Sequence, residues 1–161
     1  MSITQLSSDI VQQAGNKCYI IPVAKACNAD CIFCVTNTYH TKSASTYMPT
    51  SNKLESTFEQ LYAAGVRYYE ITGGGEPTLH PKLKEISNAI KTLGGVHIKL
   101  YTNGIFLKPE FHVDELNISR CSLDENNNQK LMRYKHGKMS LINILENARD
   151  LGYKNVRLSI P

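Results

Sequence analysis

Three cysteines lie close together in the sequence, at Cys27, Cys31 and Cys34. Cysteine thiolates are soft ligands that suit transition metals and iron–sulfur clusters. A [4Fe–4S] cluster normally takes four cysteines, so three of them would leave one iron without a protein ligand. Because an open iron can bind a small molecule and change it, this loop predicts a redox enzyme.

Other uses of these cysteines remain open at this stage. A structural zinc site needs a fourth ligand, for which Cys18 or His40 is available. A four-cysteine cluster would need Cys18 or Cys121, which we predict to lie inside the first and fourth strands. We expect both to pack as small apolar side chains. The three neighbouring cysteines could also be no more than buried or reactive thiols.

A second candidate site is the segment Gly73-Gly74-Gly75-Glu76-Pro77. Glycines let the backbone approach a ligand closely and adopt positive φ angles, and consecutive N–H groups can form an anion-binding nest. Glu76 adds a carboxylate that can accept a hydrogen bond from an ammonium group. Taken alone, the segment is also typical of a tight turn.

Composition restricts the class of protein. The chain has 161 residues, 42% hydrophobic and 20% charged, as in an ordinary single-domain globular protein. It lacks an apolar run long enough to span a membrane, and its N-terminus lacks the features of a secretory signal. Five cysteines without an export signal favour a metal site over disulfides, so we expect a cytoplasmic protein. The net charge of +4 is scattered rather than striped, which argues against nucleic-acid binding.

Strands and helices that alternate along the chain must position these loops. Apolar runs predict strands over 18–23, 66–72, 96–102, 117–123 and 155–160. Helical patterns predict a leading helix over 4–14 and three further helices. The first of these three begins after an Asn52 cap with Glu55 as its capping-box partner, the second begins near Pro81, and the third begins after a Ser140 cap. This alternation indicates right-handed βαβ units and a parallel sheet. Both candidate loops follow strands, at the edge where such folds place their active sites.

These motifs, in this order, resemble those of the radical S-adenosylmethionine (radical SAM) superfamily. The similar stretches are Cys27-x3-Cys31-x-Phe33-Cys34, Gly74-Gly75-Glu76-Pro77 with Leu79 and Pro81, Tyr101-Thr102-Asn103-Gly104, and Ser122-Leu123-Asp124. The resemblance implies an α/β fold, a partial (βα) TIM-type barrel with parallel strands. The family usually has more strand–helix units than this chain, which ends in the fifth predicted strand. We therefore expect residues 1–161 to be the N-terminal part of a truncated barrel, without a second domain.

The resemblance also implies a set of site residues. Cys27, Cys31 and Cys34 would bind three irons of a [4Fe–4S] cluster, and S-adenosylmethionine would chelate the fourth. The backbone of Gly74 and Gly75, with the Glu76 region, would receive the methionyl amine of the cofactor. Ser122, Asp124 and Asn103 would face its methionine or ribose, and Phe33 would border its adenine. The implied activity is reductive cleavage of S-adenosylmethionine to a 5′-deoxyadenosyl radical, which takes a hydrogen atom from an unknown substrate. A one-electron donor of the flavodoxin or ferredoxin type would be the partner.

The remaining predictions concern charge and the sheet edge. Alternation in the predicted fourth strand puts Arg120 on the same face as Ser122 and Asp124. We expect Arg120 to form a structural ion pair, although Arg120, Lys99 and Arg157 also suggest an anionic substrate. An open sheet edge would favour pairing with a partner or a second copy, in which case the chain alone could bind both cofactors yet be inactive. The rival hypothesis is a metal- or cluster-binding module for electron transfer or structure.

Overall fold

The computed structural model describes residues 12, 14–20, 27–34, 51–135 and 139–160. Five parallel strands form one sheet in the order β1-β2-β3-β4-β5. The elements are β1 (Lys17–Ile20), α1 (Ser51–Ala63), β2 (Tyr68–Ile71), α2 (Leu83–Lys91), β3 (His97–Thr102), β4 (Glu115–Ser119), α3 (Glu125–Met132), α4 (Leu141–Asp150) and β5 (Val156–Ser159). A short 3₁₀ helix, Pro77–Leu79, precedes α2. The predicted α/β fold with parallel strands, a partial TIM-type barrel, is confirmed.

The hydrophobic core lies between one face of the sheet and the helices. Ile71, Leu100 and Leu116 are neighbours in the strand register, and all three are fully buried. They belong to the same cluster of buried side chains as Leu83 of α2 and Ile144 of α4. Because burial of apolar surface is the main favourable term in folding, this layer holds the sheet and the helices together.

The other face of the sheet is polar. Glu70, Lys99 and Glu115 are neighbours across β2, β3 and β4. Alternation along the strands places Tyr101 on the same face as Lys99. Side chains of this face bond to one another, since the Tyr101 hydroxyl donates to Glu70 at 2.9 Å and Lys99 Nζ lies 3.0 Å from Glu115. The sheet therefore presents a hydrogen-bonded, charged surface opposite its apolar core.

The fourth strand differs most from the prediction. It ends at Ser119 instead of continuing to residue 123. The backbone N–H of Arg120 still donates to Ser159 of β5, but that of Cys121 donates to the Asn128 side chain at 2.9 Å. The chain therefore leaves the sheet at Cys121, and the predicted alternation over Arg120, Ser122 and Asp124 is wrong.

Two helices also begin at residues other than those predicted. Helix α1 begins at Ser51, so Asn52 lies inside its first turn and is not the cap. Helix α2 begins at Leu83, two residues after Pro81. Ser140 caps α4 as predicted, whereas α3 was not predicted at all. The leading helix over 4–14 and residues 21–23 of the first predicted strand fall mostly or wholly outside the described residues. Within the described part of the chain, no helix combines the length and apolarity that a membrane crossing requires.

Candidate active site

The cysteine loop, residues 27–34, rests on the C-terminal end of α3. The N–H of Asp30 donates to the carbonyls of Met132 and Arg133, each at 3.2 Å, and the N–H of Ile32 donates to that of Leu131 at 3.1 Å. The last carbonyls of a helix have no partner within the helix, so the loop satisfies them. Arg133, with φ 48°, ends α3 and turns the chain towards this contact.

The three cysteine thiols of the loop are half-buried and influence one another. Burial raises the pKa of Cys27, and it raises the pKa of Cys31 to about 12, with further contributions from the neighbouring thiols. Negative charge on Glu76 also raises the pKa of Cys27, which places the glycine loop within electrostatic reach. Across the described ranges, no three His, Cys, Asp or Glu side chains are already grouped around a position for a single metal ion.

Cys121 lies beside the cysteine loop rather than in a strand. Its Sγ is 3.4 Å from Met132 Sδ, and Cys31 Sγ is 3.7 Å from the same sulfur. The prediction that Cys121 is held within the fourth strand is therefore wrong. Cys18 does lie in β1 and packs against the core, as predicted.

The glycine loop after β2 depends on backbone conformations that favour glycine. Gly74 has φ 143° and Gly75 has φ 117°. A Cβ atom on Gly73 would lie 3.2 Å from the Gly75 carbonyl oxygen, tighter than ordinary contact. The segment is thus a tight turn, and its glycines also leave the backbone open to close approach.

The Glu76 carboxylate is buried and is already bound by protein donors. Oε1 accepts hydrogen bonds from the Thr78 N–H at 3.1 Å, the Thr78 hydroxyl at 2.7 Å and the Thr102 hydroxyl at 2.5 Å, and Oε2 accepts one from the Asn103 N–H at 2.9 Å. A carboxylate offers about four lone-pair positions. This side chain therefore joins the glycine loop to the end of β3. Its predicted role as an acceptor for an ammonium group stays a prediction.

Asn103 extends this connection to the cysteine loop. Its Nδ2 donates to Asn28 Oδ1 at 2.7 Å, and its Oδ1 accepts from the Ile105 N–H at 3.1 Å. Asn28, Asn103 and Glu76 are each less than 5% exposed. The structure thus brings together three of the four loops that carry predicted site residues.

Other predicted site residues have local roles in the structure. Ser122 Oγ accepts from the Asp124 N–H, and Asp124 caps α3 by accepting from the Asn127 N–H at 2.8 Å. Phe33 is 49% exposed at the end of the cysteine loop. The predicted cofactor contacts of these three side chains stay predictions.

Arg120 is completely buried and pairs with an acid. Its Nη2 lies 2.8 Å from Glu125 Oε2, although without the alignment of a hydrogen bond, and Glu125 Oε1 accepts from the Leu141 N–H at the start of α4. The predicted structural ion pair of Arg120 is confirmed. It links the end of β4 to two helices.

Comparison with known proteins identifies the family. The family model described as "Radical SAM superfamily" matches residues 21–161. The chain belongs to the radical SAM superfamily. It is also 30% identical over 149 residues to GTP 3′,8-cyclase of Haemophilus ducreyi, covering 86% of this chain and 42% of that protein. It is 29% identical to GTP 3′,8-cyclase of Aquifex aeolicus, covering 83% of this chain and 44% of that protein.

Solved structures of other proteins share the fold. Streptococcus suis SuiB bound to its precursor peptide SuiA superposes with a TM-score of 0.68 at 18% identity, covering 94% of this chain and 35% of that one. SuiB bound to S-adenosylmethionine gives a TM-score of 0.66 at 19% identity, with coverages of 94% and 35%. The chain thus spans less than half the length of these relatives. At these identities the structural likeness extends to the fold alone.

The cysteine loop has the donor set that a radical SAM cluster needs. Burial, with a smaller contribution from the neighbouring thiols, raises the pKa values of Cys27 and Cys31, so their thiolate forms are disfavoured without a metal. Positively charged iron would favour the thiolate forms and release their protons. The chemistry of Cys27, Cys31 and Cys34 therefore fits a cluster that takes three protein ligands, and their role as ligands stays a prediction.

Two predicted anion-binding residues share one carboxylate in this radical SAM domain. Lys99 Nζ lies 3.0 Å, and Arg157 Nε 3.4 Å, from Oε1 of Glu115. The Lys17 ammonium lies 3.6 Å from Glu70 on the same face of the sheet. Sequence reasoning identified Lys99 and Arg157 but missed Glu115, because strand register decides which charges become neighbours.

Proposed function

We propose that this chain binds a [4Fe–4S] cluster and S-adenosylmethionine and forms the reactive core of a radical SAM enzyme. The observation that supports this most directly is the buried set of hydrogen bonds from Glu76 through Asn103 to Asn28. These bonds join the glycine loop, the end of β3 and the cysteine loop. Each loop carries a motif of the superfamily, and all of them meet at the carboxyl edge, where parallel folds place their sites.

Within this proposal each group of residues has a separate task. Cys27, Cys31 and Cys34 hold the cluster, and the backbone of Gly74 and Gly75 with the Glu76 region receives the methionyl amine. Asn103, Ser122, Asp124 and Phe33 contact the remainder of the cofactor. When bound, the cluster and S-adenosylmethionine supply reductive cleavage to methionine and a 5′-deoxyadenosyl radical, and the protein holds them in place and limits access of water.

The substrate and partners belong to the same proposal. A one-electron donor of the flavodoxin or ferredoxin type reduces the cluster, and the chain works in the cytoplasm, where its five free cysteines stay reduced. The polar face of the sheet carries Lys17, Lys99 and Arg157 against Glu70 and Glu115, an excess of one positive charge. This face suits an anionic substrate, and the cyclase relatives make GTP the first compound to test.

Anaerobic reconstitution tests the core of the proposal. The reduced protein should show an electron paramagnetic resonance (EPR) signal that changes when S-adenosylmethionine is added, and the mixture should accumulate 5′-deoxyadenosine, measured by liquid chromatography. Cys27→Ser and Cys34→Ser should lose iron and both signals. A reconstituted cluster whose spectrum ignores the cofactor, with no 5′-deoxyadenosine formed, would contradict the proposal.

One observation favours a second candidate function, a cluster-binding module with four protein ligands. Cys121 and Cys31 contact the same Met132 sulfur, so a fourth thiol lies next to the cysteine loop. In this alternative Cys121→Ser loses iron as severely as Cys31→Ser. In the radical SAM proposal, Cys121→Ser keeps its iron and its response to S-adenosylmethionine. Cys18→Ser is the matched control, because its side chain lies in β1 and packs against the core.

A further inference from the structure

Asn28 joins the cysteine loop to the loop at the end of β3. It follows Cys27 directly and is only 3% exposed. Its Oδ1 accepts from Asn103 Nδ2 at 2.7 Å, and its backbone carbonyl accepts from the Lys135 N–H at 2.7 Å. The first cysteine is therefore followed by a residue that is fixed on two sides.

The orientation of the two amides is determined by their neighbours. The Ile105 N–H donates to Asn103 Oδ1, so Nδ2 of Asn103 must be the atom that faces Asn28. Asn28 must then present its oxygen, because two amide nitrogens would oppose donor to donor. The bond thus requires an acceptor at position 28, and an alanine there would leave the Asn103 donor without this partner.

Asn103 is in turn fixed by the glycine loop. Its N–H donates to Glu76 Oε2 at 2.9 Å, while the preceding residue, Thr102, donates its hydroxyl to Glu76 Oε1. Two consecutive buried hydrogen bonds therefore connect the cysteine loop to Glu76. Asn103 Nδ2 donates to Asn28, and the Asn103 N–H donates to Glu76.

We propose that Asn28 is a positioning residue that, through Asn103, fixes the cysteine loop against the glycine loop and thereby sets the affinity for S-adenosylmethionine. This inference rests on the proposed function, since it assumes that the two loops hold the cluster and the methionyl amine. Relative placement matters because a cofactor that touches both loops is bound well only when their separation is already correct. Asn28 itself contacts neither cofactor in this role.

Four reconstituted, reduced proteins test the inference: the wild type, Asn28→Ala, Asn28→Asp and Asn155→Ala. Titration of the EPR signal with S-adenosylmethionine gives the Kd, and a ferrous chelator gives the rate of iron release. Asn155→Ala is the matched control, because it also removes an asparagine hydrogen bond, to the Asp114 carbonyl, at the opposite edge of the sheet.

Asn28→Ala should raise the Kd about tenfold, which corresponds to one buried hydrogen bond, and should release iron faster. Asn28→Asp keeps the acceptor, so its Kd should stay within about threefold of the wild-type value. The added negative charge should lower the midpoint potential of its cluster, which a purely structural substitution would not do. Asn155→Ala should match the wild type in both measurements.

A Kd for Asn28→Ala within about twofold of the wild type would overturn the positioning role. If Asn28→Ala cannot be purified, a loss of more than tenfold in Asn28→Asp would overturn it equally, since the acceptor is still present. If the wild-type spectrum ignores S-adenosylmethionine, the proposed function fails instead. The iron-release rates then still decide whether Asn28 positions the cysteine loop.

Discussion

Replacing Glu76 by glutamine should destabilise the protein substantially, although the two side chains have nearly the same shape. Glu76 is 4% exposed, and its carboxylate accepts from two backbone N–H groups on opposite oxygens, those of Thr78 and Asn103. A glutamine amide has one oxygen and one NH₂ group. Whichever way the amide is turned, its NH₂ meets one of these two N–H groups, so one buried donor must lose its acceptor.

The magnitude follows from these contacts. A buried donor left without a partner costs about 1–3 kcal/mol, and the remaining bonds weaken because the acceptor is no longer charged. The neutral amide is easier to bury than a carboxylate, which offsets part of the loss. We expect a net decrease of about 2–3 kcal/mol in the free energy of unfolding. For a domain of this size that corresponds to a fall of roughly 5–10 °C in Tm.

Thermal and urea unfolding of the cluster-free protein, followed by circular dichroism, measures this change without any contribution from a cofactor. Glu59→Gln is the matched control: Glu59 is exposed on α1, and its substitution should change stability by less than about 0.5 kcal/mol. A Tm for Glu76→Gln within about 1 °C of the wild type would refute the reasoning. It would mean that the hydrogen bonds from Thr102 and Asn103 do not hold the glycine loop to the end of β3.

Three further predictions concern other parts of the fold. Gly104→Ala should lower the free energy of unfolding by about 2–4 kcal/mol in urea, because φ is +81° and the new Cβ would lie 2.6 Å from Ile144 Cγ2. Gly94 also has a positive φ but faces open space, so Gly94→Ala should lower it by only about 1 kcal/mol. Burial raises the pKa of Tyr153 to about 12, from an unfolded value near 10, so above about pH 10 the unfolded state loses a proton that the folded state retains. The free energy of unfolding should therefore fall between about pH 10 and 12, and it should fall less steeply in Tyr153→Phe. Because the pKa of Cys31 is about 12, iodoacetamide at about pH 9 should label Cys31 more slowly in the folded cluster-free protein than in guanidinium, as peptide mass spectrometry would show.

The parts of the fold that sequence predicts well are those with local signals. Runs of β-branched and apolar residues located all five strands, because a strand covered by helices must be apolar on its buried face. The glycines at 74 and 75 signalled their turn, since only glycine adopts those φ angles readily. Ser140 signalled the start of α4 through its preference for the cap position.

Helix α3 shows where such signals fail. Its sequence, ENNNQKLM, is nearly all polar, and within it only Asn128 and Met132 are buried. Periodic apolar spacing is therefore missing, and the remaining clue is Asp124, which is a favourable cap residue. The helix forms because Asn128 binds the Cys121 N–H and because the carbonyls at the end of α3 receive the cysteine loop. Both contacts depend on the tertiary structure.

The same reasoning explains why the sequence predicts a chemistry for the candidate site but not its internal connections. Three neighbouring cysteines favour a metal site because the thiolate itself is the ligand. The task of a carboxylate is set instead by its surroundings. Glu76 is buried and must therefore be matched by donors, and two of these, from Thr102 and Asn103, belong to another strand–loop unit. Prediction of such connections requires the strand register as well as the motifs.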